Sequence, residues 1–118
     1  MPLLGLGVYD VFGLAAERAV MKALDVGYRL IDTAMIYQNE REVGNAVRHS
    51  GIPREEIFIT TKVWQSDMGY DATFRAFEIS SKKLNIGYID LYLIHWPIKA
   101  KRKDTWRALE KLYEIPMR

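Results

Sequence analysis

An apolar strand pattern followed by a helical pattern occurs four times in the 118-residue sequence, and this repetition limits the possible folds more than any other feature. The predicted strands are 3–9, 28–32, 57–63 and 89–95. The second to fourth are nearly continuous apolar runs, which are typical of parallel strands covered on both faces. A helical pattern follows each strand, at 14–26, 39–50, 71–86 and from 104 onward. The sequence therefore predicts four consecutive βα units.

An eight-unit barrel needs about 250 residues, so four units correspond to half of one. We predict the α/β fold class, with one domain over residues 1–118 that forms half of a parallel (β/α)8 TIM barrel and belongs to a truncated or incomplete chain. Half of a barrel leaves two unpaired strand edges. We therefore expect the 118-residue chain alone to be either a homodimer that closes an eight-stranded ring or poorly soluble, unless a missing half is supplied from elsewhere.

Capping patterns give the expected helix boundaries. Gly27 is suited to the position after the first helix. Asn39 and Glu40 resemble the cap and first turn of the second helix. Asp71 and Asp104 are the predicted N-caps of the third and fourth helices.

Charge and composition exclude several classes of partner. The chain has 17 Lys and Arg against 15 Asp and Glu, a net charge of +2, so no nucleic-acid partner is expected. The basic run 99–103 (KAKRK) is interpreted as a solvated loop and helix entry, with phosphate binding as the alternative. The absence of cysteine excludes disulfides and cysteine–zinc sites. No apolar run is long enough to span a bilayer, so we expect no membrane partner and a cytoplasmic location.

Titratable side chains stand at or near the ends of three successive predicted strands: Asp32, Lys62 and His95. Tyr37 lies on the loop that follows the second strand. Carboxyl ends of parallel strands meet at one rim, where ligands bind. Taken singly, each residue also has a structural interpretation: a cap, a half-buried aromatic, a solvated strand end, a core histidine. Their joint position favours a catalytic site.

This combination of groups is suited to proton transfer. A phenol, with a solution pKa near ~10, is a weak acid at neutral pH, and a neighbouring ammonium favours its ionised form. A carboxylate paired with the ammonium fixes its position. An imidazole can donate a hydrogen bond to a substrate oxygen. No nucleophile is paired with a base, and one histidine at the rim is too few for a zinc site, so no metal is expected.

Three motifs, GYRLIDTAMIYQNE, IFITTKVWQSD and YIDLYLIHWP, occur in the order typical of the aldo-keto reductase family. The sequence resembles that family from about residue 3 to residue 113. The resemblance implies NADPH-dependent reduction of a small carbonyl compound to an alcohol. It also implies that Tyr37 donates the proton, that Lys62 and Asp32 make the phenol a stronger acid, and that His95 orients the carbonyl.

The resemblance further implies binding residues beside these motifs. The implied substrate-binding residues are Tyr9, Trp64 and Trp96, and the implied cofactor-binding residues are Gly7, Val8, Tyr9 and Asp32. Core packing is the alternative for Trp64 and Trp96. No G-x-G-x-x-G loop opens a helix, so a Rossmann-type phosphate loop is not predicted.

The sequence departs from the family pattern at both ends. The short hairpin that usually precedes the first strand is missing, and so is the half of the barrel that carries most cofactor contacts. The alternative function is therefore a non-catalytic half-barrel fragment, or a scaffold that binds a partner or self-associates.

Overall fold

A computed structural model describes residues 1–115, in which four strands alternate with four helices. The strands are β1 (Gly5–Gly7), β2 (Leu30–Asp32), β3 (Phe58–Val63) and β4 (Leu91–Ile94). The helices are α1 (Gly13–Asp25), α2 (Glu40–His49), α3 (Tyr70–Leu84) and α4 (Arg102–Glu114). The predicted α/β alternation is confirmed, and residues 116–118 lie outside the described residues.

The four strands form one parallel sheet in sequence order, β1-β2-β3-β4. Each helix packs against the next one along the chain. Residues of β3 alternate in direction, and Ile59, Thr61 and Val63 are buried. The buried cluster joins Ile59 to apolar residues of the helices, among them Val20, Leu24, Val43, Ala46 and Leu84. The opposite face of β3 carries Lys62 toward the site.

The strands are shorter than the predicted ones. β1 begins at Gly5, and Leu3 and Leu4 lie before it with exposed side chains. β4 begins at Leu91 because the Asp90 carboxylate, and not a main-chain carbonyl, accepts the N–H of Ile59 at 2.8 Å. A side chain thus replaces the first acceptor of the ladder.

The predicted side-chain caps at Asp71 and Asp104 are wrong, since both residues lie inside the first turns of α3 and α4. The Thr105 hydroxyl instead connects the starts of the two helices. It accepts the N–H of Gly69, the N-cap of α3, at 2.9 Å and donates to the carbonyl of Lys101, the N-cap of α4, at 2.8 Å. One residue of α4 therefore fixes the start of α3.

Helix α2 approaches the end of α3 most closely at Gly44. A Cβ atom placed there would lie 1.9 Å from the carbonyl oxygen of Leu84. That carbonyl also accepts a hydrogen bond from the Arg48 guanidinium at 2.7 Å. A glycine at position 44 is thus needed for this packing distance, because the opposing atoms belong to the backbone.

We expect Gly44→Ala to lower the free energy of unfolding by about 1–3 kcal/mol or more, since the helices must separate to admit the methyl group. Urea denaturation of the variant measures this loss. Gly7→Ala is the matched control, because its Cβ atom meets nothing within 4 Å. Equal stability of the two variants would show that the α2–α3 contact is looser than the structure describes.

Candidate active site

A lysine–aspartate pair lies at the carboxyl end of the sheet. Lys62 precedes the last residue of β3, and its Nζ lies 2.5 Å from Oδ1 of Asp32, the last residue of β2. The lysine side chain is largely buried, whereas the aspartate is about half exposed. The ammonium also donates to the Thr33 carbonyl at 3.0 Å. Because two oxygens hold this nitrogen, its position is fixed.

The third donor of the Lys62 ammonium is directed to Tyr37. Nζ lies 3.4 Å from the phenol oxygen, and 5.0 Å from the centre of the ring. Tyr37 ends a short 3₁₀ turn, Met35–Tyr37, which Gln38 closes in the left-handed conformation at φ 58°. The oxygen therefore accepts a hydrogen bond from Lys62, and the phenol's own hydrogen is free to point toward a ligand.

A row of aromatic rings extends from Tyr37 across the rim. The Tyr37 ring contacts the ring of Tyr9, with centroids 5.4 Å apart, and the ring of His95, with centroids 5.6 Å apart. Trp64 continues the row at 5.2 Å from His95, and Trp96 lies 6.4 Å beyond it. Trp96 is 60% exposed within the described residues. The rim thus forms an aromatic wall beside the phenol.

His95 directly follows β4, and its imidazole lies between Tyr37 and Trp64. Burial lowers the pKa of His95 below its ordinary value of 6.5, the nearby Lys62 lowers it further, and Asp32 opposes the shift. The imidazole is therefore neutral at pH 7. Nδ1 is buried and has no hydrogen-bond partner in the described part of the chain. A neutral imidazole can donate one hydrogen bond, but it is a poor source of protons.

We expect the His95 ring to titrate below 6.5 in an NMR pH titration, with its resonance assigned by its loss in His95→Gln. The folded state binds this proton less tightly than the unfolded state. The group's contribution to the free energy of unfolding is therefore complete above pH 6.5 and is lost as the pH falls through the lowered pKa. A ring that titrates above 6.5 would place His95 in a different environment.

The family of this chain follows from a comparison with family models. The model of the aldo/keto reductase family matches residues 5–114. The chain belongs to the aldo-keto reductase family. The resemblance drawn from the three motifs is thereby confirmed.

Two curated relatives of the family are similar over 115 residues each. The 9,11-endoperoxide prostaglandin H2 reductase of Trypanosoma cruzi is 60% identical, and the glyoxal reductase of Bacillus subtilis is 57% identical. Both comparisons cover 97% of this chain, but only 41% and 42% of the relatives. The chain thus spans less than half the length of these aldo-keto reductases.

Solved aldo-keto reductases have the same fold over this region. The enzyme MGS-M4 from a deep-sea metagenome library has a TM-score of 0.94 at 55% identity, over 97% of this chain and 42% of that one. The Bombyx mori aldo-keto reductase, solved with NADP, has a TM-score of 0.87 at 34% identity, over 99% and 44%. The described residues therefore form part of an aldo-keto reductase barrel, as predicted.

The residues predicted to bind the cofactor differ in accessibility. Gly7 is exposed at the end of β1, and Tyr9 is 74% exposed beside it. Val8, in contrast, is buried in the core. Its N–H donates to the main-chain carbonyl of Asp32, and its own carbonyl accepts a hydrogen bond from the Asn39 side-chain amide. The structure thus leaves Gly7, Tyr9 and Asp32 able to contact a ligand, whereas the Val8 side chain faces away from the rim.

Two buried residues at the rim have roles that the sequence did not reveal. Thr33 supplies the carbonyl that holds Lys62, and Asn39 accepts a hydrogen bond from the Thr33 hydroxyl. Asn39 does occupy the predicted N-cap position of α2, but its side chain makes no cap hydrogen bond. Their position next to Tyr37 in sequence was the only available signal.

Three further properties of the described residues bear on function. None of their helices is both long and apolar enough to cross a membrane. Within residues 1–115, no group of three His, Cys, Asp or Glu side chains could hold a metal ion. The basic run 99–103 is exposed on the loop before α4 and in its first turn.

Proposed function

We propose that the protein is an NADPH-dependent reductase of aldehydes or ketones, with Tyr37 as the proton donor. The hydrogen bond from Lys62 Nζ to the phenol oxygen carries this proposal. An ammonium that donates to this oxygen stabilises the negative charge that develops there as the proton leaves. The same bond leaves the phenol hydrogen directed away from the lysine, where a substrate oxygen can accept it.

NADPH, when bound, supplies a hydride to the carbonyl carbon. The chain's own residues act on the carbonyl oxygen: Tyr37 transfers its proton to that oxygen, and neutral His95 donates a hydrogen bond to it. Asp32 keeps Lys62 in place within hydrogen-bond distance of the phenol. Solvent returns a proton to Tyr37 after each turnover. The products are an alcohol and the oxidised cofactor.

Two alternative proton donors are less suitable. The lowered pKa of His95 leaves little imidazolium at neutral pH. Tyr92 on β4 has a buried hydroxyl. Burial raises the pKa of this phenol, and so do the negative charges of Glu40 and Asp67. A phenol with a raised pKa is a weaker acid. Tyr37 is therefore the preferred donor.

The choice of cofactor and substrate rests on the family and on the open end of β1. The Bombyx mori aldo-keto reductase contains NADP, and the Bacillus subtilis relative is a glyoxal reductase. At Gly7, a Cβ atom would meet nothing within 4 Å, so a flat ring has space beside β1. Tyr9 and Trp96 offer exposed aromatic surface for an apolar substrate.

Cofactor binding and turnover test this proposal. We expect NADPH fluorescence to change on titration with the protein, and we expect glyoxal and larger aldehydes to be reduced with loss of NADPH absorbance. Binding without turnover would refute the proposed reductase activity. A protein that binds no NADPH and reduces none of these aldehydes would favour the scaffold function.

Three observations favour the scaffold function. Within the described residues, β1 and β4 each have one unpaired edge. An open cavity of about 490 Å³ lies beside β4 and is lined by Ile94, Pro97, Arg102, Lys103, Trp106 and Arg107. Exposed apolar groups at Leu3, Leu4 and Trp106 lie near these two edges. Another half-barrel, from the same or a second chain, would cover them.

A further inference from the structure

The Asn39 side chain is completely buried at the rim, and all of its polar atoms take part in hydrogen bonds. Nδ2 donates to the carbonyls of Val8, at 2.8 Å, and Val11, at 3.0 Å. Oδ1 accepts the hydroxyl of Thr33 at 2.5 Å. These partners lie on two different segments of the chain. An amide with both donors and its acceptor in use has one possible orientation.

The two carbonyls bound by Nδ2 flank the residue that contacts the phenol. Val8 and Val11 enclose Tyr9 and Asp10, and the ring of Tyr9 packs edge-on against Tyr37. Asp10 has a left-handed backbone with φ 62°, a conformation that is uncommon among non-glycine residues and that aspartate adopts more readily than most. The two hydrogen bonds from Asn39 therefore hold both sides of the turn that presents Tyr9.

The acceptor side of Asn39 leads to the lysine. Its Oδ1 fixes the Thr33 side chain, and the Thr33 carbonyl accepts a hydrogen bond from Lys62 Nζ. The Thr33 N–H in turn donates a hydrogen bond to the Thr60 carbonyl at 2.8 Å. Thr33 is thus held at three points. One amide consequently connects the turn that carries Tyr9 to the carbonyl that orients the ammonium.

We propose that Asn39 is a positioning residue that keeps Tyr9 against Tyr37 and aligns the Thr33 carbonyl with Lys62. The inference rests on the proposed function, because the position of the Tyr37 phenol matters only if this phenol donates the proton. Small displacements of reacting groups lower rates strongly, by as much as about 10²-fold for 1 Å. Asn39 thereby acts on catalysis through two neighbours and without touching the substrate.

Two variants separate the two sides of the amide. Asn39→Asp keeps an acceptor for Thr33 but replaces the donor to Val8 and Val11 with an oxygen that repels both carbonyls. Thr33→Val removes the hydroxyl and leaves the donor side unchanged, while Thr33→Ser restores the hydroxyl. Asn45→Asp is the matched control, because it makes the same change on the same helix, next to Glu17 and away from the rim.

Amide hydrogen exchange over residues 8–12 provides the first readout, and it does not require enzymatic activity. We expect Asn39→Asp to raise exchange there at least about tenfold over Asn45→Asp, because the turn loses both anchors. Thr33→Val should raise it less. If Asn39→Asp fails to fold, exchange over residues 8–12 in Thr33→Val decides the question. Exchange faster than in Thr33→Ser would support the inference, and equal exchange in the two variants would overturn it.

Steady-state kinetics provide the second readout. We expect Asn39→Asp to raise KM more than it lowers kcat, and Thr33→Val to lower kcat about tenfold or more, with recovery in Thr33→Ser. The inference would be overturned if residues 8–12 exchanged no faster in Asn39→Asp than in Asn45→Asp. It would also be overturned if Thr33→Val and Thr33→Ser had the same kcat. Absence of reductase activity in the parent protein would instead refute the proposed function and leave the exchange result valid.

Discussion

Replacement of Tyr37 by phenylalanine is expected to lower kcat for carbonyl reduction by about 10²–10⁴-fold, the usual loss when a general acid is removed. The fold should survive, because the ring stays between Tyr9 and His95 and the hydroxyl contacts only Lys62 among the described residues. The rate of NADPH consumption gives kcat. Urea denaturation of the same preparation shows whether the variant is folded.

Tyr113→Phe is the matched control for this prediction. Tyr113 lies on α4, 92% exposed and outside the rim, so the loss of its hydroxyl should leave kcat unchanged. A decrease of less than about fivefold in Tyr37→Phe, far below the range for a general acid, would show that the proton comes from another group.

Replacement of Arg54 by leucine is expected to lower the free energy of unfolding by about 2–4 kcal/mol. The guanidinium donates to the carbonyls of Ile86, Ile57 and Tyr88, and it forms a mostly buried ion pair of 2.6 Å with Asp90. Its loss removes the guanidinium donor of three carbonyls and leaves the Asp90 carboxylate with the N–H of Ile59 as its hydrogen-bond donor. Urea denaturation followed by circular dichroism measures the change.

Two further arginine variants define the cause of that loss. Arg54→Lys keeps the charge but not the planar fork, so an intermediate loss is expected. Arg107→Leu removes an exposed pair with Asp104 and should cost only about 0.5 kcal/mol. If Arg54→Leu were as stable as Arg107→Leu, the hydrogen bonds around Arg54 would have no net stabilising effect.

The order of elements and the site rim could be predicted because both follow from local patterns. Apolar runs and helical periodicity predict βα units, and parallel strands bring Asp32, Lys62 and His95 to the same edge. The register adds what the sequence could not show. Asp32 pairs with Thr60 and Lys62 pairs with Leu93, so each titratable residue lies about two positions farther along the next strand. Lysine reaches Asp32 only because its side chain is long.

Contacts between distant parts of the chain were missed for a physical reason. Asp71 and Asp104 fit the local capping rule, but Thr105 from another helix supplies the bond to Gly69. Arg54 stands beside two glutamates in sequence, yet it binds carbonyls more than thirty residues away. Side-chain hydrogen bonds between segments depend on tertiary packing, which spacing along one segment does not encode.

A double-mutant cycle on Tyr37 and Lys62 tests the central claim, that the phenol and the ammonium act as one proton-donating unit. The kcat values of the protein, Tyr37→Phe, Lys62→Met and the double variant are compared under identical conditions. Because Lys62 acts on the reaction through the phenol oxygen, the double variant should retain the kcat of Tyr37→Phe within about threefold. The coupling would be contradicted if Lys62→Met lowered kcat by the same factor in the Tyr37→Phe background as in the parent protein.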